Sequence, residues 1–251
     1  MNILIAGLGL IGGSLGKALR RKGWHVRFAD PAVSLEEARA SGAADEKAET
    51  LEGDLIVLAT PADIALDLLA QLGGSPSIVT SVSSAMSPLR DGATDVEFIA
   101  GHPFAGSEMH GLRAAHADLF AGRPWFIDQE HPAVLQMIEA AGGESVVVDA
   151  AEHDRIVALT SHLPQVVATA LASLLDDIDP RFIGTGARSM LRLAGSSWDV
   201  WRPVLAQNEE NISMAAADLW KTMEQIGAEE FERAQHFYRD IIRGSSEPRE
   251  R

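Results

Sequence analysis

The sequence predicts a parallel α/β domain over residues 1–150 followed by an all-helical domain over residues 151–251. Three observations lead there. Short apolar runs alternate with helical patterns through the first half, a glycine-rich turn directly follows the first run, and strand signals stop after about Ala150.

The expected strands are Asn2–Ala6, His25–Ala29, Leu55–Ala59, Ser77–Ser81, Glu97–Ala100, Pro124–Ile127 and Ser145–Val148. Each is short and almost continuously apolar, as strands covered on both faces are. Helical periodicity fills Ile11–Arg21, Ser34–Ala40 and Asp63–Gln71 between the first of them. Beyond Ala150, the segments Glu152–Leu175, Pro180–Leu193, Trp201–Glu224 and Ala228–Ile242 read as helices. Asp179-Pro180 and Gly195-Ser196-Ser197 supply breaks between them. The polar tail Gly244–Arg251 is expected to fray.

The chain has 251 residues, enough for one large domain or two modest ones with buried cores. Its formal net charge of -15 argues against a nucleic-acid partner, because phosphate backbones need clustered Lys and Arg. An anionic small molecule would have to be held by a few local cations or backbone amides. No cysteine is present, so disulfides, thiolate metal sites and cysteine nucleophiles are excluded, in keeping with a cytoplasmic enzyme. No stretch approaches the roughly 20 apolar residues of a membrane span. The N-terminus MNILIAGLG lacks the basic region of a signal peptide.

Gly7-Leu8-Gly9-Leu10-Ile11-Gly12 matches G-x-G-x-x-G between the first strand and the first helix. Gly7 would make the tight turn, Gly9 would let the backbone approach a pyrophosphate, and Gly12 would let helix and strand pack closely. The N–H groups of this helix N-terminus, carried by residues such as Leu10 and Ile11, are the expected anion site. Asp30 ends the second strand about 20 residues further on, where a carboxylate accepts both ribose hydroxyls and repels a 2′-phosphate. NAD is therefore expected over NADP. Thr60 and Pro61, with Ser81, close two further strands on the same edge and are expected to line the cofactor crevice.

His102 lies in the glycine-bracketed segment Gly101-His102-Pro103-Phe104-Ala105-Gly106 after another strand. An imidazole there is either a general base beside a hydride acceptor or a structural turn histidine. His153 and His162 open the helical half nine residues apart, without an i,i+4 partner or an acid at ligand spacing, so no metal site is expected. Arg188 and Arg192 sit among apolar and small residues, where an arginine either snorkels or grips a carboxylate. Trp198 and Trp201 could equally be packing aromatics.

The blocks GLGLIGGSLGKAL, ATP, AGHPFAGSEMHGLRAAHADLFAGRPW, HDRIVALTSHLPQ and LRLAGSSWDVW occur in the order found in prephenate/arogenate dehydrogenases, and the chain resembles that family from Asn2 to about Phe237. The resemblance implies a Rossmann-type domain with a helical domain. It also implies NAD-dependent oxidative decarboxylation of prephenate or arogenate in tyrosine biosynthesis, an oxidation acting on CH–CH. His102 then resembles the catalytic histidine that takes the C4 hydroxyl proton, and Ser84 the serine bonded to that histidine and the hydroxyl. Arg192 resembles the arginine that pairs with a substrate carboxylate. Glu108, His153, Gln165 and Trp201 are similar to positions lining the substrate pocket.

The sequence also departs from the family. Where Asp-x-Gly-Ser-x-Lys is common, it reads Ser81-Val82-Ser83-Ser84-Ala85-Met86, which leaves open which of the three serines meets the hydroxyl. Gln165 stands where a second histidine is common; it can hydrogen-bond but carries no charge. The chain shows no regulatory domain after the helices, so tyrosine feedback through one is not expected. Two other readings are a different two-domain NAD-dependent hydroxyacid dehydrogenase and an NAD-binding sensor without chemistry. The former usually relies on a lysine in its helical domain, and here that region offers Lys221 alone, late in a polar helix. The apolar surface of the long helices predicts a homodimer through the helical domain.

Overall fold

The computed structural model describes residues 2–106 and 109–244. Its N-terminal part is a parallel sheet of six strands wound with helices: β1 (Ile3–Ala6), α1 (Leu10–Arg21), β2 (Val26–Ala29), α2 (Leu35–Ser41), β3 (Glu46–Lys47), β4 (Leu55–Leu58), α3 (Ala62–Gln71), β5 (Ile78–Ser81), α4 (Ser87–Gly92) and β6 (Glu97–Ile99). The strand order is β3-β2-β1-β4-β5-β6, with β1 paired in parallel to both β2 and β4. The order reverses at β1, so the carboxyl ends of β1 and β4 flank a crevice, the usual ligand site of such sheets. Both faces of the sheet are covered. Ile3, Ile5 and Val57 pack in one core layer and Leu4, Ile56 and Leu58 in the other, which explains the continuous apolar runs.

A second sheet continues from the edge of the first. It holds β7 (Gly101–Pro103), β8 (Pro124–Ile127) and β9 (Glu144–Val147), with α5 (Pro132–Ala141) between the last two. Two elements go beyond the expected strands. β3 is two residues long, and β7 turns the expected loop around His102 into an edge strand antiparallel to β8, with His102 opposite Phe126. Neither carries enough apolar residues to show a period.

The helical part starts with α6 (Ala150–Val157), a π-helical turn (Ala158–His162) and α7 (Leu163–Leu174), which run on as one helix. By length and composition alone this 25-residue helix could cross a bilayer. However, its buried His153, Asp154, His162 and Gln165 bond within the protein. After it come α8 (Thr185–Leu191), a 3-10 turn (Arg192–Gly195), α9 (Trp198–Gln207), α10 (Glu209–Glu224) and α11 (Ala228–Gly244). The single helix expected over Trp201–Glu224 is thus two, broken at Asn208. Asn208 is buried and its side chain is committed to tertiary bonds, a demand that overrides local helical periodicity.

Candidate active site

The glycine loop is shaped by close approach. Gly7 has φ +93°, and a Cβ there would meet the Ala59 carbonyl oxygen at 2.5 Å; a Cβ on Gly12 would meet the Gly7 oxygen at 2.0 Å. Gly9 differs: a Cβ would meet nothing within 4 Å, so open space lies in front of the loop. Gly9 caps α1 without a side-chain bond, and the first turn, which begins at Leu10 and Ile11, contains no acid. By contrast, α2 is capped by Ser34 and α6 by Asp149. A helix start with uncapped N–H groups, no acid and free space is built to receive an anion.

Asp30 closes the other side. One carboxylate oxygen accepts the Leu8 N–H at 2.8 Å and the other the Ala32 N–H at 2.8 Å, so the acid is fixed beside the loop. Each oxygen keeps a lone pair for a further donor. Thr60 follows β4, and its buried Oγ1 has no partner among the described residues; Pro61 beside it caps α3. The Ser81 hydroxyl is spent within the protein. It accepts the Gly101 N–H at 3.2 Å and faces the Gly101 carbonyl at 3.3 Å, so it ties β5 to the start of β7.

From β7, His102 reaches the helical part. Its Nδ1 lies 3.0 Å from Nε2 of His153, whose own Nδ1 lies 2.8 Å from Asp154 Oδ1. His153 and Asp154 are each 2% exposed, and the His153 ring is boxed by Phe126 and His102 at centroid distances of 5.4 and 5.1 Å. Asp154 also accepts the Met86 and Ser87 N–H groups, at 2.7 and 2.8 Å, and so pins this helix to the start of α4. Burial pushes its carboxyl up, but the donors His153, Met86 and Ser87 outweigh this and hold it below the usual carboxylate range.

The ionised carboxylate can only accept. His153 therefore donates its Nδ1–H to Asp154, and where its Nε2 accepts, His102 carries its proton on Nδ1. Its Nε2 is left as a lone pair, with no partner among the described residues. Burial, reinforced by His153 and His162 against the pull of Asp154, pushes His102 down to about 3. A half-buried imidazole with a ring nitrogen left for a further partner has the geometry of a general base.

Ser84 belongs to a second chain of bonds. Its Oγ lies 3.0 Å from Nε2 of His162, not against His102 as the family resemblance implied. Asn208 Nδ2 donates to the Asp154 backbone carbonyl at 2.8 Å, and its Oδ1 accepts from Asn211 at 2.7 Å, which fixes the amide orientation. The same Nδ2 lies 3.1 Å from His162 Nδ1, so that nitrogen accepts and Nε2–H donates to Ser84. The Ser84 hydroxyl proton is then available to another group. Burial, with His153 and against Asp154, holds His162 down to about 4. Of the three serines, Ser84 is the one bonded to a histidine.

Trp201 is half-buried with its ring edge-on to His162 at 6.0 Å. Gln165 is buried one turn beyond His162, and its Nε2 donates to the Leu193 carbonyl at 2.9 Å. Arg192, the residue before Leu193, lies exposed in the 3-10 turn. Glu108 lies outside the described residues. The structure thus joins His102 to His153 and Asp154, and Ser84 and Trp201 to His162 and Asn208, with Gln165 one turn further along the helix. Asp154 and His162 stood in blocks already singled out, though without roles. Asn208 had no signal in a polar stretch of helix.

Comparison with known proteins follows the same division of the chain. Residues 15–141 match the family described as "Prephenate dehydrogenase, nucleotide-binding domain", and residues 149–240 match "Prephenate dehydrogenase, dimerization domain". Prephenate dehydrogenase of Lactococcus lactis subsp. cremoris is 30% identical over 232 residues; the match takes in 83% of this chain but only 65% of the length of that relative. Arogenate dehydrogenase of Synechocystis superposes with a TM-score of 0.76 at 26% identity, covering 98% of each chain. Prephenate dehydrogenase of Aquifex aeolicus, solved in complex with hydroxyphenyl propionate and NAD+, shares the fold with a TM-score of 0.81 at 24% identity, covering 97% of this chain and 95% of that one.

Proposed function

The chain belongs to the prephenate dehydrogenase family, and from that premise we propose that it oxidatively decarboxylates a cyclohexadienyl acid, prephenate or arogenate, with NAD in tyrosine biosynthesis. The observation that carries the proposal is the chain of bonds from Asp154 through His153 to His102, which leaves a lone pair on His102 Nε2.

The residues present fit NAD. Gly9 with the free N–H groups of Leu10 and Ile11 would hold the pyrophosphate, with Gly7 and Gly12 shaping the loop. The remaining lone pairs of Asp30 would take the ribose hydroxyls, and Thr60 has a buried hydroxyl to give. Ser81 and Pro61 contribute backbone and shape. When bound, NAD supplies the acceptor for a hydride. This reading also fits relatives reported as arogenate and prephenate dehydrogenases, the latter with NAD+ bound.

In this mechanism His102 is the catalytic base. Its Nε2 takes the proton of the C4 hydroxyl as hydride leaves C4, which makes C4 a carbonyl. Loss of CO2 from C1 then returns an electron pair to the ring, and the phenolic oxygen regains a proton. Ser84 donates to the hydroxyl oxygen, oriented by His162, while His153 and Asp154 position His102. Arg192 pairs with a substrate carboxylate, and Trp201 lines the pocket around it. The working protein is a cytoplasmic homodimer, supported by the match of its helical part to a dimerization domain.

The test is the growth of NADH absorbance when purified protein meets NAD and either substrate, with CO2 released in equal amount. NAD binding without turnover of either acid would refute the proposal in favour of a sensor.

A further inference from the structure

We infer that Gln165 reads the side chain of the substrate and selects the form bearing an ammonium group, arogenate, over the form bearing a keto carbonyl, prephenate. The inference rests on the cyclohexadienyl reading above and names the substrate within it.

Gln165 is 5% exposed, and its amide cannot be turned over. Nε2 lies 2.9 Å from the Leu193 carbonyl, which can only accept. The second contact of Nε2 is Thr169 Oγ1 at 3.3 Å. That hydroxyl gives its own proton to the Gln165 backbone carbonyl at 2.9 Å, so it too accepts. Both amide protons are therefore spent. What remains is Oε1, a buried acceptor with no partner among the described residues. A buried acceptor without a donor is costly, and a ligand that supplies the donor recovers that cost.

Its position says which ligand group would do so. Gln165 follows His162 by three residues and shares its helix face, and His162 bonds Ser84 at the proposed hydroxyl end of the site. On the other side, Nε2 holds the carbonyl next to Arg192, the proposed carboxylate partner. The unpaired oxygen thus belongs to the stretch between the two ends, which the substrate's side chain would cross. An ammonium there donates to Oε1. A keto oxygen would set acceptor against acceptor and leave both unsatisfied.

The experiment measures kcat/KM of the whole protein with NAD for arogenate and for prephenate. Arogenate is expected to lead by about 10²-fold. In Gln165→Met, which keeps the length but removes the carbonyl, that ratio should collapse to within a few-fold. Loss of the Leu193 bond would loosen the Arg192 turn for both substrates alike, so the ratio isolates Oε1. Gln165→Glu, which keeps an acceptor oxygen, should retain the preference for arogenate. Equal use of both substrates or a preference for prephenate in the unmodified protein overturns the inference while leaving the dehydrogenase reading intact. An unchanged ratio in Gln165→Met overturns it as well. If neither substrate reduces NAD, it is the dehydrogenase reading that fails.

Discussion

At His102 the chemistry depends on which ring nitrogen holds the proton, and that is decided two side chains away at Asp154. Replacing His102 by Asn should lower kcat by on the order of 10²–10⁴ while NAD affinity is kept, measured by steady-state kinetics and cofactor titration. Asp154→Asn should produce a similar fall in kcat with KM little changed, because an amide no longer dictates the tautomer. If Asp154 only held the fold, KM and thermal stability would move and kcat would not. The same residues link stability to pH. His102 and His162 are depressed to about 3 and 4 in the folded protein, against about 6.5 when unfolded. Below pH 6.5 the unfolded chain therefore binds protons that the folded one refuses, and stability should fall as pH drops from 6.5 toward 4. Thermal melts across that range check this, and His102→Asn should flatten the slope.

Among the elements, the turn from β1 into α1 separates two uses of glycine. Gly9→Ala should melt at nearly the same temperature as the unmodified protein but bind NAD at least about 10-fold more weakly, because its methyl enters the space kept for the pyrophosphate. Gly12→Ala should instead lose stability by on the order of 1–3 kcal/mol, since its methyl collides with the Gly7 carbonyl. Paired melting and cofactor titration would distinguish the two. The strands of the first sheet other than β3 were legible because parallel strands covered on both faces leave continuous apolar runs. β7 was not, because three residues bracketed by glycine and proline carry no period. The break at Asn208 was equally hidden: it answers to His162 and Asp154, both more than 40 positions earlier in the chain.

In the whole molecule, the sheet and the helices meet through polar bonds. Asp154 takes two N–H groups at the start of α4, and Arg202 pairs with Asp63 of α3 at 3.1 Å. The far side of the helical part is a different surface. Trp220 and Phe231 are each 64% exposed, and Met223, Ile226, Phe237 and Tyr238 are exposed with them. So much aromatic surface is expected to be covered by a second copy of the chain. Light scattering at micromolar concentration should give the mass of a dimer, and Trp220→Glu with Phe231→Glu should give the monomer. A monomeric unmodified protein would count against this.

The sequence by itself determined the order of the α/β and helical parts, the anion-binding turn and the acid that ends β2. Strand hydrophobicity, glycine spacing and helix starts are local properties, written in consecutive residues. The tertiary structure alone decided the partners of the site residues. It gave Ser84 to His162, His102 to His153 and through it to Asp154, and left the Gln165 side-chain oxygen without a partner among the described residues. The bonds of His102 to His153, Ser84 to His162 and Asn208 to His162 join side chains 46 to 78 positions apart, and no local pattern in the chain encodes that distance.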